Sequence, residues 1–265
     1  DCQRITGKMG KLNFINLGCR VLESKMENKI EKISAGSYDL NKWLFGGYER
    51  DIITMIAGPA GSGKTNFVLL AACSQAKHGN KVIFIDSEGG FSSERVKQIV
   101  GGENVDEILG NIFLLKPTNF EEQKKDFEKL LRLLKDEQVG LVVVDGMAML
   151  YRLELADASK SGEDEKVREV NHEVARQMKA LAEIARKKNI PVLITNQVYQ
   201  DFVSFEDLQK GVERTTNIVG GDLMKYWSKC IIELKMEKGK RKAVLLKHRS
   251  FPEKEMIFEI KDKGV

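Results

Sequence analysis

"AGPAGSGKTN", residues 57–66, decides how the rest of the chain is read. It follows the apolar run "DIITMIAG" (51–58), which reads as a buried strand. It opens "KTNFVLLAACSQAKHG" (64–79), which reads as a helix closed by Gly79. In that setting Gly58, Pro59, Ala60, Gly61, Ser62, Gly63, Lys64 and Thr65, with Asn66 continuing the helix, match G-x-x-x-x-G-K-[ST]. The glycines let backbone N–H groups turn toward phosphate oxygens, and the helix N-terminus adds a favourable dipole. Lys64 reaches the β and γ phosphates and Thr65 offers a hydroxyl to Mg²⁺, so the residues predict a nucleoside triphosphate site.

Outward from this turn the chain repeats a β-branched run, a turn and an amphipathic stretch, the pattern of a parallel sheet with crossover helices. "KVIFID" (81–86) is the next strand, and Ser92 and Ser93 are candidate caps for "SERVKQIV". "NIFLLKP" follows as a third strand. "FEEQKKDFEKLLRLLKDE" is then a helix expected to bury Phe127, Leu130, Leu131 and Leu134. "GLVVVDG" is apolar on both faces, as a central parallel strand is. A helix through "EVNHEVARQMKALAEIARKKN" leads to the strand "PVLITNQV". "KCIIELKME", "KAVLLKHR" and "EMIFEIKD" are too close together for crossover helices and predict an antiparallel extension of one sheet edge. Two stretches, about 151–165 and 199–217, read as long polar loops. The expected fold is α/β, a P-loop NTPase core with a mostly parallel twisted sheet flanked by helices and an antiparallel C-terminal extension. Residues 31–265 form the expected core. Residues 1–30 show no clear period and are set apart as a short N-terminal segment, with Met26 an alternative start for a protein made of the core alone.

In 265 residues, 42% are hydrophobic and 31% charged, and no apolar run has the roughly 18 residues of a membrane helix. No membrane association is expected. The four cysteines, Cys2, Cys19, Cys73 and Cys230, form neither CxxC pairs nor a regular framework, which predicts reduced thiols in a cytoplasmic protein. A net charge of +4 is too small to specify a nucleic-acid partner on its own.

Asp145 ends the strand "LVVVD" and, paired with the P-loop, is the expected second Mg²⁺ group beside Thr65. Many P-loop ATPases place a catalytic Glu next, but Gly146 and Met147 follow here, so a water-activating base must come from elsewhere. Glu88, in "FIDSEGG", is either that base or a solvent-facing loop carboxylate. Gln197, in "LITNQ", is either an amide that senses the γ-phosphate or half of an Asn/Gln pair bonded at a strand end.

These pieces resemble the RecA/RadA recombinase superfamily, most closely a short archaeal branch of it. The likeness rests on "GG" 46–47, the P-loop, "IDSEGGFSSERV" 85–96, "LVVVDG" 141–146, "ARKKNIPVLITNQV" 185–198 and "LLKHRSFPEKEMIFEI" 245–260, and runs from about residue 33 to the C-terminus. It implies that Glu88 polarises the attacking water, that Gln197 is the γ-phosphate sensor, and that Arg95 lies near the adenine, although Ser93 replaces the usual Pro. Basic residues equivalent to Lys247 and Arg249 act across a subunit interface in related ATPases, which implies a homo-oligomer in which both act in trans.

Full recombinases carry an N-terminal helix-hairpin-helix domain and a linker Phe-x-x-Ala. Here "FINL" 14–17 has Leu in the Ala position, so a filament of the usual kind is not expected. The stretches that would line the family's DNA channel are acidic. Arg152, Lys160 and Lys166 face five carboxylates in the first, and Lys210 and Arg214 face four in the second, where Phe202 and Phe205 either stack on bases or pack on the domain. Between Lys229 and Lys254 nine basic residues stand against three acidic ones, which makes the edge 235–249 the candidate DNA contact, or else a hairpin kept soluble by charge. The implied function is an ATP-binding, weakly hydrolysing, DNA-dependent ATPase of recombination and repair, partnered by DNA and a RadA-type recombinase. The alternative is a KaiC-like signalling or autophosphorylating ATPase, in which two adjacent acidic residues usually follow the second strand. Here Ser87 separates Asp86 from Glu88.

Overall fold

The computed structural model describes residues 30–102, 104–200, 216–237 and 239–265. Phe202, Phe205, Lys210, Arg214, Lys238 and "FINL" 14–17 lie outside them. A small antiparallel pair, β1 (Lys32–Ile33) and β2 (Tyr48–Glu49), brackets helix α1 (Tyr38–Trp43) and precedes the main sheet. That sheet is built from β3 (Ile53–Gly58), β4 (Lys81–Asp86), β5 (Ile112–Leu115), β6 (Val139–Asp145), β7 (Val192–Gln200), β8 (Thr216–Ile218), β9 (Ser228–Glu237), β10 (Lys240–Lys247) and β11 (Lys254–Phe258). Its order is β11-β10-β9-β3-β7-β6-β4-β5, with β8 paired to β7. Neighbours from β9 to β5 are parallel, whereas β10, β11 and β8 pair antiparallel. The expected parallel sheet with an antiparallel C-terminal edge is therefore present.

Alternation explains why the central strands read as unbroken apolar runs. Val82, Phe84, Leu141 and Val143 pack in one layer with α2 (Lys64–Lys77), α3 (Ser93–Val100) and α4 (Val105–Gly110). Ile83, Ile85, Val142 and Val144 pack in the other layer with α5 (Phe120–Asp136), α6 (Met149–Ser161), α7 (Asp164–Lys188) and α8 (Gly221–Trp227). A strand covered on both faces has no solvent side to mark with polar residues. Ser92, not Ser93, caps α3 by accepting from the Arg95 N–H, and Asn119 caps α5 by accepting from that of Glu122.

Two expectations fail. Leu131 is 47% exposed, while Phe120 on the same helix is buried with Phe127, Leu130 and Leu134. At 100° per residue Leu130 and Leu131 cannot both point to the centre of one narrow stripe, and the stripe follows Phe120, Phe127, Leu130 and Leu134. The polar loop expected at 151–165 is instead α6 and the start of α7. Its apolar residues are sparse but helically spaced: Leu150, Tyr151 and Ala158 are buried and Leu155 half-buried, while Arg152, Glu154, Asp157 and Lys160 face solvent. Tyr151 locks the pair of helices by donating its hydroxyl proton to Asn171 Oδ1 at 2.6 Å.

Candidate nucleotide site

The site lies where β3, β4, β6 and β7 end, the edge at which parallel strands of an open sheet present ligand-binding groups. Register brings the ends together: Gly58 stands opposite Gln197, and Asp86 opposite Asp145. Gly63 opens α2 at φ +109°, and a Cβ there would lie 3.1 Å from Ile260. No side chain caps α2 and no acidic residue sits in its first turn, so its leading N–H groups are available to an anion. Lys64 Nζ donates to the carbonyls of Gly58 and Pro59, both at 3.1 Å. Burial lowers its pKa, opposed by the charges of Glu88 and Asp145. Ser62 Oγ is buried in the same turn without a partner.

Thr65 Oγ1 donates to Asp145 Oδ2 at 2.8 Å, joining the two expected metal groups. Asp145 is fully buried, and that burial pushes its pKa up to about 6 against the hydrogen bonds from Thr195 and Thr65. Its second oxygen, Oδ1, accepts from Thr195 Oγ1 at 2.5 Å. A hydroxyl and one carboxylate suit Mg²⁺, which keeps much of its hydration shell. Thr65 and Asp145 would hold the ion, which supplies charge neutralisation to the β and γ phosphates when bound.

Glu88 and Gln197 come together: Gln197 Nε2 donates to Glu88 Oε1 at 3.3 Å. Gly146 makes room for this. It sits at φ +91°, and a Cβ there would lie 2.5 Å from Glu88 Cγ. The residue that stands where many ATPases carry their catalytic Glu is thus a glycine against which Glu88 packs. Asp86, buried, accepts from the Gly90 and Phe91 N–H groups, both at 3.0 Å, and so pins the turn that carries Glu88. Residue-by-residue reading of the sequence did not single out Asp86 or Thr195 as site groups. Thr195 was detectable in principle, because it lies two residues before Gln197 and therefore on the same face of β7.

The chain matches the Rad51 family model over residues 26–265. It is 40% identical over 227 residues to the DNA repair and recombination protein RadB of Methanococcus maripaludis strain C7, covering 85% of this chain and 96% of that one. The RadB proteins of Methanobrevibacter smithii and Methanocaldococcus jannaschii are 39% and 38% identical, with 92% and 98% of their lengths covered. The chain belongs to the Rad51 family. Membership agrees with the nucleotide-binding geometry and with the RecA-like arrangement of the sheet.

In this Rad51-family chain three predicted groups lie away from the phosphate turn or are engaged elsewhere. Arg95 binds Asn66 Oδ1 at 2.8 Å, Gln98 Oε1 at 3.0 Å and the carbonyls of Lys261 and Asp262, so its guanidinium ties α2 and α3 to the C-terminal residues. Lys247 donates to the Lys225 carbonyl at 2.8 Å. Arg249 pairs with buried Glu49 at 2.6 Å and bidentately with Asp51 at 2.8 and 3.1 Å. Glu49 and Asp51 precede β3, and Lys225 precedes β9, which starts beside the start of β3, while the P-loop follows β3, so Lys247 and Arg249 sit at the far end of the sheet from their own P-loop. Part of the basic edge is also matched. Lys235 pairs with Glu233, and Lys242 with Glu237 and Glu255. Among the described residues no helix is long and apolar enough to cross a membrane, and Cys73 and Cys230 are buried free thiols with pKa values pushed up to about 12 by burial.

Proposed function

We propose that this chain is an ATP-binding, slowly hydrolysing protein of DNA recombination and repair that grips DNA, a RadA-type recombinase or both when ATP is bound. The observation that carries the reading is the Gln197–Glu88 hydrogen bond, because it joins the candidate water-polarising carboxylate to β7, the strand that leads into residues 201–215. A γ-phosphate drawing the Gln197 amide away would free Glu88 for water and shift β7 in the same event. Relatives named for DNA repair and recombination at about 40% identity over nearly their whole length support the biological setting.

Residues 31–265 act as the ATPase core of a cytoplasmic protein. Lys64 holds the β and γ phosphates, Thr65 and Asp145 hold Mg²⁺, and Arg95, bonded to Asn66, borders the base side. Lys247 and Arg249 serve a neighbouring copy in a homo-oligomer, since the length of β3 separates them from their own P-loop. DNA contact falls to the edge 235–249, whose hairpin end with Lys240 and Arg241 lies at the nucleotide end of the sheet. The signalling alternative needs an available pair of acidic groups after β4, and both oxygens of Asp86 are engaged by backbone N–H groups.

The test is fluorescence anisotropy of labelled single-stranded and duplex DNA across a salt series, with no nucleotide, ADP or a non-hydrolysable ATP analogue. Binding strengthened by the analogue and weakened by salt is expected. No DNA binding in any state, together with no nucleotide-dependent capture of a RadA-type recombinase, would overturn the reading.

A further inference from the structure

Asp145 is held from two sides, and only the Thr65 side belongs to the predicted phosphate machinery. On the other side Thr195, fully buried in β7, has its hydroxyl oxygen 2.7 Å from the Gly146 N–H and 2.5 Å from Asp145 Oδ1. A backbone N–H can only donate, so the Thr195 oxygen accepts that bond and its single proton is directed at Asp145. The Thr195 carbonyl also accepts from the Met147 N–H at 3.1 Å, which fixes the turn after Asp145 to β7 on both sides of the peptide. The carboxylate therefore has little rotational freedom, with Oδ1 tethered to β7 and Oδ2 turned to Thr65.

We propose that Thr195 is a positioning residue that orients the Asp145 carboxylate for Mg²⁺ and ties it to the strand carrying Gln197. This rests on reading the strand ends as a Mg²⁺-nucleotide site. Partners one step removed from a metal group typically alter metal affinity by about 10–100-fold when lost. Thr195→Val keeps the β-branched shape but leaves the Gly146 N–H and Asp145 Oδ1 without their partner. Thr195→Ser keeps the hydroxyl.

Binding of a fluorescent non-hydrolysable ATP analogue is followed while Mg²⁺ is titrated into full-length wild type, Thr195→Val and Thr195→Ser, with thermal melting of each alongside. The Mg²⁺ midpoint is expected to rise about tenfold in Thr195→Val and to return close to wild type in Thr195→Ser. If the valine variant does not fold, Thr195→Ala, which leaves space for a water in place of the hydroxyl, is judged by the same midpoint. An unchanged midpoint in a folded variant lacking the hydroxyl, even with a lower melting temperature, makes Thr195 a packing residue and overturns the proposal alone. Wild-type protein that binds no nucleotide at any Mg²⁺ concentration overturns the site reading and this proposal together.

Discussion

The two ends of β3 treat charge in opposite ways. At the nucleotide end Lys64 hydrogen-bonds only to carbonyls and Asp145 only to hydroxyls, although burial disfavours both charges. At the other end Arg249 meets two carboxylates, one of them on buried Glu49, and His248 Nε2 lies 3.4 Å from the same glutamate. Charges left facing neutral dipoles mark a place for an ionic ligand, because folding alone gives no reason to keep them. Charges matched within the chain have a reason within the fold itself.

The largest effect should come from Lys64→Ala, which removes a cation whose hydrogen bonds to phosphate contribute about 1.5–3 kcal/mol each. Calorimetry should find ATP binding weaker by about a hundredfold with the melting temperature nearly unchanged. Arg249→Ala should do the reverse. Leaving Glu49 buried without its guanidinium partner should cost about 2 kcal/mol in denaturant unfolding, after discounting for the partly exposed arginine, while nucleotide affinity in dilute, unassembled protein stays at the wild-type value. Equal nucleotide losses in the two variants would break the comparison.

A smaller effect concerns pH. The Ser250 N–H donates to His248 Nδ1 at 3.0 Å, so the neutral ring carries its proton on Nε2, toward Glu49. Burial lowers the His248 pKa, with Glu49 opposing and Lys32, Arg249 and Lys254 reinforcing. A base whose folded pKa lies below its unfolded value contributes stability that is present at neutral pH and lost progressively as pH falls from about 6.5 through the lower folded pKa. The melting temperature should fall between pH 7 and 5 more steeply in wild type than in His248→Asn. The smallest effect belongs to the hairpin end: Lys240→Glu with Arg241→Glu should lower the salt slope of DNA binding by about one unit per lost phosphate contact, without altering nucleotide affinity.

The nucleotide end was readable in sequence because its chemistry is local. Gly58–Thr65 is contiguous, Asp145 ends β6, Glu88 follows the end of β4 by two residues, and Gln197 follows the apolar run of β7. The opposite end was not, because Arg249 finds Glu49 and Asp51 about 200 residues away, and a charge count over 229–254 omits both, together with Glu255. Helix α6 escaped because its buried residues are few and separated by charges, and only the spacing of Leu150, Tyr151, Leu155 and Ala158 betrays it. The short elements β1, β2, α1, α4 and α8 have too few residues to show a period. Thr195 was hidden in a strand that already had an apolar explanation.

The central claim, that this strand end is a hydrolytic site with Glu88 as its base, is tested most directly by Glu88→Gln. The substitution keeps the size of the side chain and removes its basicity. ATP binding and single-turnover hydrolysis should be measured on the same concentrated, DNA-containing sample as wild type. The account predicts wild-type nucleotide affinity with hydrolysis slowed by about a hundredfold or more. Wild-type turnover in Glu88→Gln would contradict it.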